Sequence, residues 1–181
     1  MNTTQEYNTV IAFCKDLFIN KTKDYGTSWR IMRLSSITDQ LYIKAKRIRT
    51  LEIKQISKVG DDISGEFVAI INYCVMALMQ IELGEEGEEN LDAQYVESKY
   101  TEKVNETRDL MLAKNHDYGE AWRDMRVSSM TDMILMKLHR VKQIENNNGQ
   151  TIVSEGLGAN YQDMLNYAVF ALIKMGLAEK K

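Results

Sequence analysis

The chain carries two versions of one segment. Residues 23–52 align with residues 116–145 at a constant offset of 93, and 14 of the 30 aligned positions are identical. The identities include Asp24-Tyr25-Gly26 with Asp117-Tyr118-Gly119, Trp29-Arg30 with Trp122-Arg123, Arg33 with Arg126, Thr38-Asp39 with Thr131-Asp132, Lys44 with Lys137, Arg47 with Arg140, and Glu52 with Glu145. The match runs back through Asp16-Leu17 and Asp109-Leu110 and, after a one-residue insertion, forward to Asn72-Tyr73 and Asn166-Tyr167. A duplicated unit buries its apolar face against its copy, so the sequence predicts an intramolecular pseudo-dimer. Residues 1–84 form the first repeat, 92–181 the second, and the acidic run Glu85 to Glu89 lies within a solvated linker, 85–91.

Each repeat reads as three helices. Proline, which breaks helices and ladders, is absent from all 181 residues, whereas average usage of ~5% would give roughly nine. The fold class expected is therefore all-α, two pseudo-symmetric three-helix repeats packed as one bundle. The first helix starts near Thr3 or Thr4 with Val10, Phe13, Cys14, Leu17 and Phe18 at helical spacing, and 96–113 is its counterpart. The glycine of each Asp-Tyr-Gly turn ends it. Ser36-x-x-Asp39 and Ser129-x-x-Asp132 resemble capping boxes that open the second helix. Its apolar face is Ile37, Leu41, Ala45, Ile48 and Leu51, and in the copy Met130, Ile134, Leu138, Val141 and Ile144. The third helix follows Ser57 to Asp62, or Asn146 to Ser154, and Gly84 is a candidate for its C-cap.

Charge and cysteine usage narrow the partners. A net charge of −3 gives no extended nucleic-acid surface but leaves room for a local basic pocket. The longest apolar run, 67–79, is too short to span a bilayer and reads as a core helix, and the polar N-terminus directs no export. A cytoplasmic protein without a membrane partner is expected, with Cys14 and Cys74 buried and reduced. A second copy of the chain is a further candidate partner.

The chemistry concentrates on the duplicated cations. Lys44 and Lys137 fall in the middle of the second helix's apolar face, and Glu66 falls on the apolar stripe of the third, so an ammonium and a carboxylate should meet in the core. The second repeat has Asn160 at the place of Glu66 and carries Asp163 one turn later, where the first has Ala69. Two readings stay open: a structural ion pair, or a polar pocket around the lysines. Arg30, Arg33 and Arg47, with Arg123, Arg126 and Arg140, suit phosphate, and Trp29, Trp122, Tyr25 and Tyr118 suit a base, the alternative being arginines on a solvated face and tryptophans in the core. Asp61, Asp62 and Glu155 stand at helix starts, where capping accounts for them. A bound metal would be Mg²⁺, held by Glu66 or Asp163 together with substrate phosphates. His116 and His139 form no zinc motif, and neither a Gly-rich phosphate loop nor a nucleophile elbow occurs.

Lys114-Asn115-His116-Asp117-Tyr118-Gly119, Trp122, Lys137-x-x-Arg140 and Asp163-x-x-Asn166-Tyr167 together resemble the nucleotide-modification-associated domain family. The first repeat shows the same pattern at Lys21, Asp24-Tyr25-Gly26, Lys44-x-x-Arg47 and Asn72-Tyr73, with Ala69 replacing the acid and Gly65, like Ala159, standing where the family's third helix has a further acid. The resemblance covers nearly the whole chain and implies a nucleotide or other phosphorylated small molecule as partner, with Lys114, Asp117, Tyr118, Trp122, Lys137, Arg140 and Asn166 among the site residues. In layout the chain also resembles, distantly, the all-helical nucleotide pyrophosphohydrolases, without their Glu-Glu-x-x-Glu element. The sequence thus supports a nucleotide-binding or nucleotide-processing protein, including Mg²⁺-dependent hydrolysis of a phosphoanhydride, with a non-catalytic assembly module as the alternative. On the first reading Lys137 and Arg140 hold phosphate, so replacing Lys137 with Met should abolish binding and leave stability near wild type.

Overall fold

The computed structural model describes residues 2–55 and 62–179. Six α-helices run in the order α1 (Thr3–Tyr25), α2 (Leu34–Lys54), α3 (Ile63–Leu83), α4 (Ala93–Tyr118), α5 (Val127–Asn146) and α6 (Leu157–Lys174), with short 3-10 turns at Ser28–Ile31, Ala121–Asp124 and Leu177–Glu179 and no strand among the described residues. α3 and α6 are apolar around most of their circumference and pack on each other at the centre. α2 and α5 flank them and also touch each other, while α1 lies on α4 and on the other repeat's α6.

Polar contacts across the bundle repeat with the sequence offset. Thr38 Oγ1 of α2 donates to Glu145 of α5 at 2.7 Å, and Thr131 Oγ1 of α5 donates to Glu52 of α2 at 2.8 Å. Arg49 pairs with Asp132 at 2.6 Å and Lys142 with Asp39 at 3.4 Å. The Tyr7 hydroxyl donates to Asn166 at 2.9 Å and that of Tyr100 to Asn72 at 2.8 Å. Residue i of one repeat meets j of the other, and the equivalent of j meets the equivalent of i. That reciprocity is the signature of an isologous interface, here folded into one chain.

Local ends follow the sequence in part. Asn2 and Gln5 form a capping box at the start of α1, and Gly26 (φ 69°) and Gly119 (φ 60°) terminate α1 and α4. The expected boxes at Ser36 and Ser129 do not form, because α2 and α5 begin earlier, with Arg33 and Arg126 as extended N-cap residues. Their 3-10 turns deliver the chain already aligned, and the Leu34 N–H is satisfied by the Glu85 carboxylate at 2.8 Å. Asp39 and Asp132, freed from capping, bridge the repeats instead. Of the α1 stripe, Phe13 is 52% exposed and Leu17 39%.

The linker is exposed but tied down. Arg30, 3% exposed, donates to the carbonyls of Glu88 at 3.1 Å and Gly84 at 3.0 Å and to the Gln80 side chain. Thr27 Oγ1 donates to the Glu89 carbonyl at 2.5 Å and accepts from the Leu91 N–H at 3.0 Å. α3, at 21 residues, is long and apolar enough to cross a membrane by length and composition, more than the interrupted run 67–79 suggests, but most of its apolar stretch is buried inside the bundle. Cys14 and Cys74 are buried free thiols, and burial pushes Cys14 up to about 12. Ser57 and Asp61 lie outside the described residues.

Candidate functional site

Each repeat builds the same cavity. In the first, Lys21, Tyr25, Trp29, Lys44, Ala69 and Tyr73 are among the residues around about 450 Å³. In the second, Lys114, Tyr118, Trp122, Lys137, Asp163 and Tyr167 surround about 410 Å³. Every member of the second set is the counterpart of one in the first, at an offset of 93, or of 94 after the insertion. α1 or α4 supplies the first lysine and the tyrosine one turn later, the 3-10 turn supplies the tryptophan, and the second and third helices supply the rest.

The second cavity is neutralised from within. Asp163, 8% exposed, accepts from Lys114 Nζ at 2.7 Å on one carboxylate oxygen and from Lys137 Nζ at 2.6 Å on the other. Burial alone would push the carboxyl up, but the two lysine hydrogen bonds hold it below its ordinary value. Burial likewise works against the Lys114 ammonium, and its bond to Asp163 outweighs that and raises its pKa. The lysine and the carboxylate expected to meet in the core therefore do meet, and an ammonium from α4 joins them.

The first cavity is arranged differently. Glu66 accepts from the Arg47 guanidinium, with Lys44 Nζ at 3.4 Å from its other oxygen. Ala69 puts no carboxylate between the lysines, and Lys21 makes no hydrogen bond or ion pair with the described residues. Lys21 stands exposed at the cavity wall.

Several other candidates sit elsewhere. Both faces of the Trp122 ring are taken, one by Phe170 stacked at 4.2 Å and 4°, the other by the Arg123 guanidinium at 4.4 Å. Trp29 is buried against Phe18 at 6.4 Å, so the exposed aromatics at the two mouths are Tyr25, 58% exposed, and Tyr118, 75%. Arg30 holds the linker, and Arg123 pairs with Glu6 at 2.6 Å and Glu120 at 3.0 Å. Arg33, Arg126 and Asp117 are exposed. Arg140 is exposed as well and lines a separate groove of about 770 Å³ beside residues 150–155, which Lys137 also borders. Asn166 is engaged structurally, accepting from Tyr7 and donating to the Thr107 carbonyl at 3.2 Å, as Asn72 does with Tyr100 and the Cys14 carbonyl.

Glu66 and Asp163, the two carboxylates expected to hold Mg²⁺, do not share a site. Glu66 and Asp163 lie in different cavities, and both oxygens of each face an ammonium or guanidinium. Among the described residues no group of three His, Cys, Asp or Glu side chains converges on one point. Mg²⁺ asks for carboxylate oxygens free to coordinate at about 2.0–2.1 Å, and a neighbouring cation repels it.

Spacing within a single repeat does not mark Lys21, Tyr73 and Tyr167 as site residues. Lys21 and Lys114 recur at the offset of 93, one turn before each Asp-Tyr-Gly, and the Asn-Tyr dipeptide recurs at 94. Only the recurrence between repeats marks them.

A family model described as nucleotide modification associated domain 1 matches residues 21–81 and again residues 114–175, one match to each repeat. The two matches span more than half of the chain, which therefore belongs to this family. No curated protein and no solved structure matches the chain.

Proposed function

We propose that this member of the nucleotide modification associated domain 1 family binds a phosphorylated nucleotide in a lysine-walled cavity, with the exposed tyrosine of the Asp-Tyr-Gly turn at the mouth meeting the base. The observation that carries this reading is the cavity itself, built twice from equivalent residues around a pair of lysines. Ammonium groups in a half-closed pocket of this size suit phosphate oxygens, and a tyrosine at the rim presents a flat apolar face with a polar tip.

Binding is the part of a nucleotide-processing activity that the geometry supports. Hydrolysis needs in addition a group that orients or deprotonates water; Asp163 has both oxygens on lysines, Glu66 is paired with Arg47 and Lys44, and Asp62, also at the first cavity, accepts from Ser64. The assembly-module alternative draws its support from the second cavity, where Asp163 already fills the lysine pair.

Thermal denaturation of the whole chain tests the reading. Nucleoside mono-, di- and triphosphates, with and without Mg²⁺, are compared with the unphosphorylated nucleosides. A phosphorylated nucleotide at 100 times its dissociation constant should add about 2.7 kcal/mol of stability, with no requirement for Mg²⁺, while the nucleosides give less. If no nucleotide at millimolar concentration raises the midpoint, the binding reading fails and the assembly module replaces it.

A further inference from the structure

The two cavities differ at one decisive position. In the second, the Asp163 carboxylate bridges Lys114 and Lys137, one oxygen to each, at 2.7 and 2.6 Å. In the first, Lys21 and Lys44 occupy the corresponding walls and Ala69 stands where the aspartate would be, one side chain short of a bridge. Glu66, one turn earlier on α3, does not replace that bridge. Its carboxylate is held by Arg47, it approaches Lys44 at 3.4 Å, and it makes no ion pair with Lys21.

We infer that the anion subsite lies in the first repeat, at Ala69 between Lys21 and Lys44, and that a ligand's terminal phosphate takes the place that Asp163 fills in the second repeat. This rests on the nucleotide-binding reading above and adds which cavity works and why the other does not. A phosphate monoester suits the position because it presents at least two free oxygens, as the bridging carboxylate does, and because removing the carboxylate from the position leaves its volume to the ligand. The second cavity is then an internal copy of the bound state, with its own side chain as the anion. A ligand entering there would have to displace a carboxylate that is covalently part of the wall and therefore present at high effective concentration.

Exchanging the two residues tests the assignment. Inorganic phosphate and a deoxynucleoside monophosphate are titrated calorimetrically into the whole chain. Wild type should take one equivalent. Ala69→Asp should weaken binding at least tenfold and raise the melting temperature, since it installs the missing bridge. Lys21→Met, at an exposed residue without an ion pair among the described residues, should weaken binding similarly with the fold intact. Asp163→Ala should gain a second equivalent, or, where its lower stability prevents titration, gain more in melting temperature from phosphate than wild type does. If wild type binds but Ala69→Asp and Lys21→Met bind equally well, the placement is wrong and the nucleotide-binding reading survives. If wild type binds neither probe, both fall.

Discussion

Replacing Asp163 with Asn is expected to cost about 3–5 kcal/mol in urea unfolding at neutral pH, the range for leaving a buried charge without its partner. The side chains of Lys137 and Asp163 are each only 11% exposed, so the amide would leave the Lys137 ammonium in a poorly solvated place. Lys137→Met should cost less, because Lys114, 46% exposed, continues to neutralise the aspartate. A stability cost is what a structural Lys137 implies, whereas a Lys137 that only holds phosphate would leave stability near wild type; its close pairing with a carboxylate favours the first.

The same pair sets a pH dependence. The Asp163 carboxyl is held low in the folded state, so its contribution is fully present above the unfolded value of about 3.9 and disappears as pH falls through the lower folded value. Lys114 is raised, so its contribution is present below about 10.4 and disappears as pH rises through the folded value. Unfolding midpoints measured from pH 2 to pH 7 should therefore fall less steeply on the acid side for Asp163→Asn than for wild type. A parallel acid limb would mean that Asp163 does not titrate as part of the pair.

Trp122→Ala should be comparably damaging, at about 3–5 kcal/mol, the usual cost of emptying an aromatic's place in a core. The ring is 5% exposed and loses both the Phe170 stack and the Arg123 guanidinium. Equilibrium unfolding of this variant decides between a packing role and a ligand-stacking role. A stability within about 0.5 kcal/mol of wild type, the range of surface changes, would mean that the ring is not the core residue described above.

What could be read from the sequence depended on whether a single helix carried the information. Lys44 and Glu66 lie on apolar faces by the 3.6-residue period alone, and α2 and α3 bring them to 3.4 Å. Lys114 reaches Asp163 from α4, and no periodicity within either helix fixes the angle between the two. The arginines mislead for a related reason. Arg30 and Arg123 are equivalent in sequence, yet Arg30 binds carbonyls of a linker that exists once in the chain, while Arg123 binds Glu6 near the N-terminus. Duplication preserves a residue and its local backbone, but symmetry ends where the copies are joined and where a partner has changed, as at Glu6, whose counterpart at the offset of 93 is Lys99. Ser36 and Ser129 fail as caps in both copies alike, since each helix starts earlier, directly after an extended arginine that follows the 3-10 turn.

The chain has two tryptophans, and each lines one cavity. Trp122→Phe leaves Trp29 to report on the first cavity, and Trp29→Phe leaves Trp122 to report on the second. Titrating both single-tryptophan proteins with a deoxynucleoside monophosphate and following the emission should give a saturable change from Trp29 and none from Trp122. A change confined to Trp122, or equal saturable changes in both proteins, would contradict the assignment of the phosphate to the repeat that lacks its own acid.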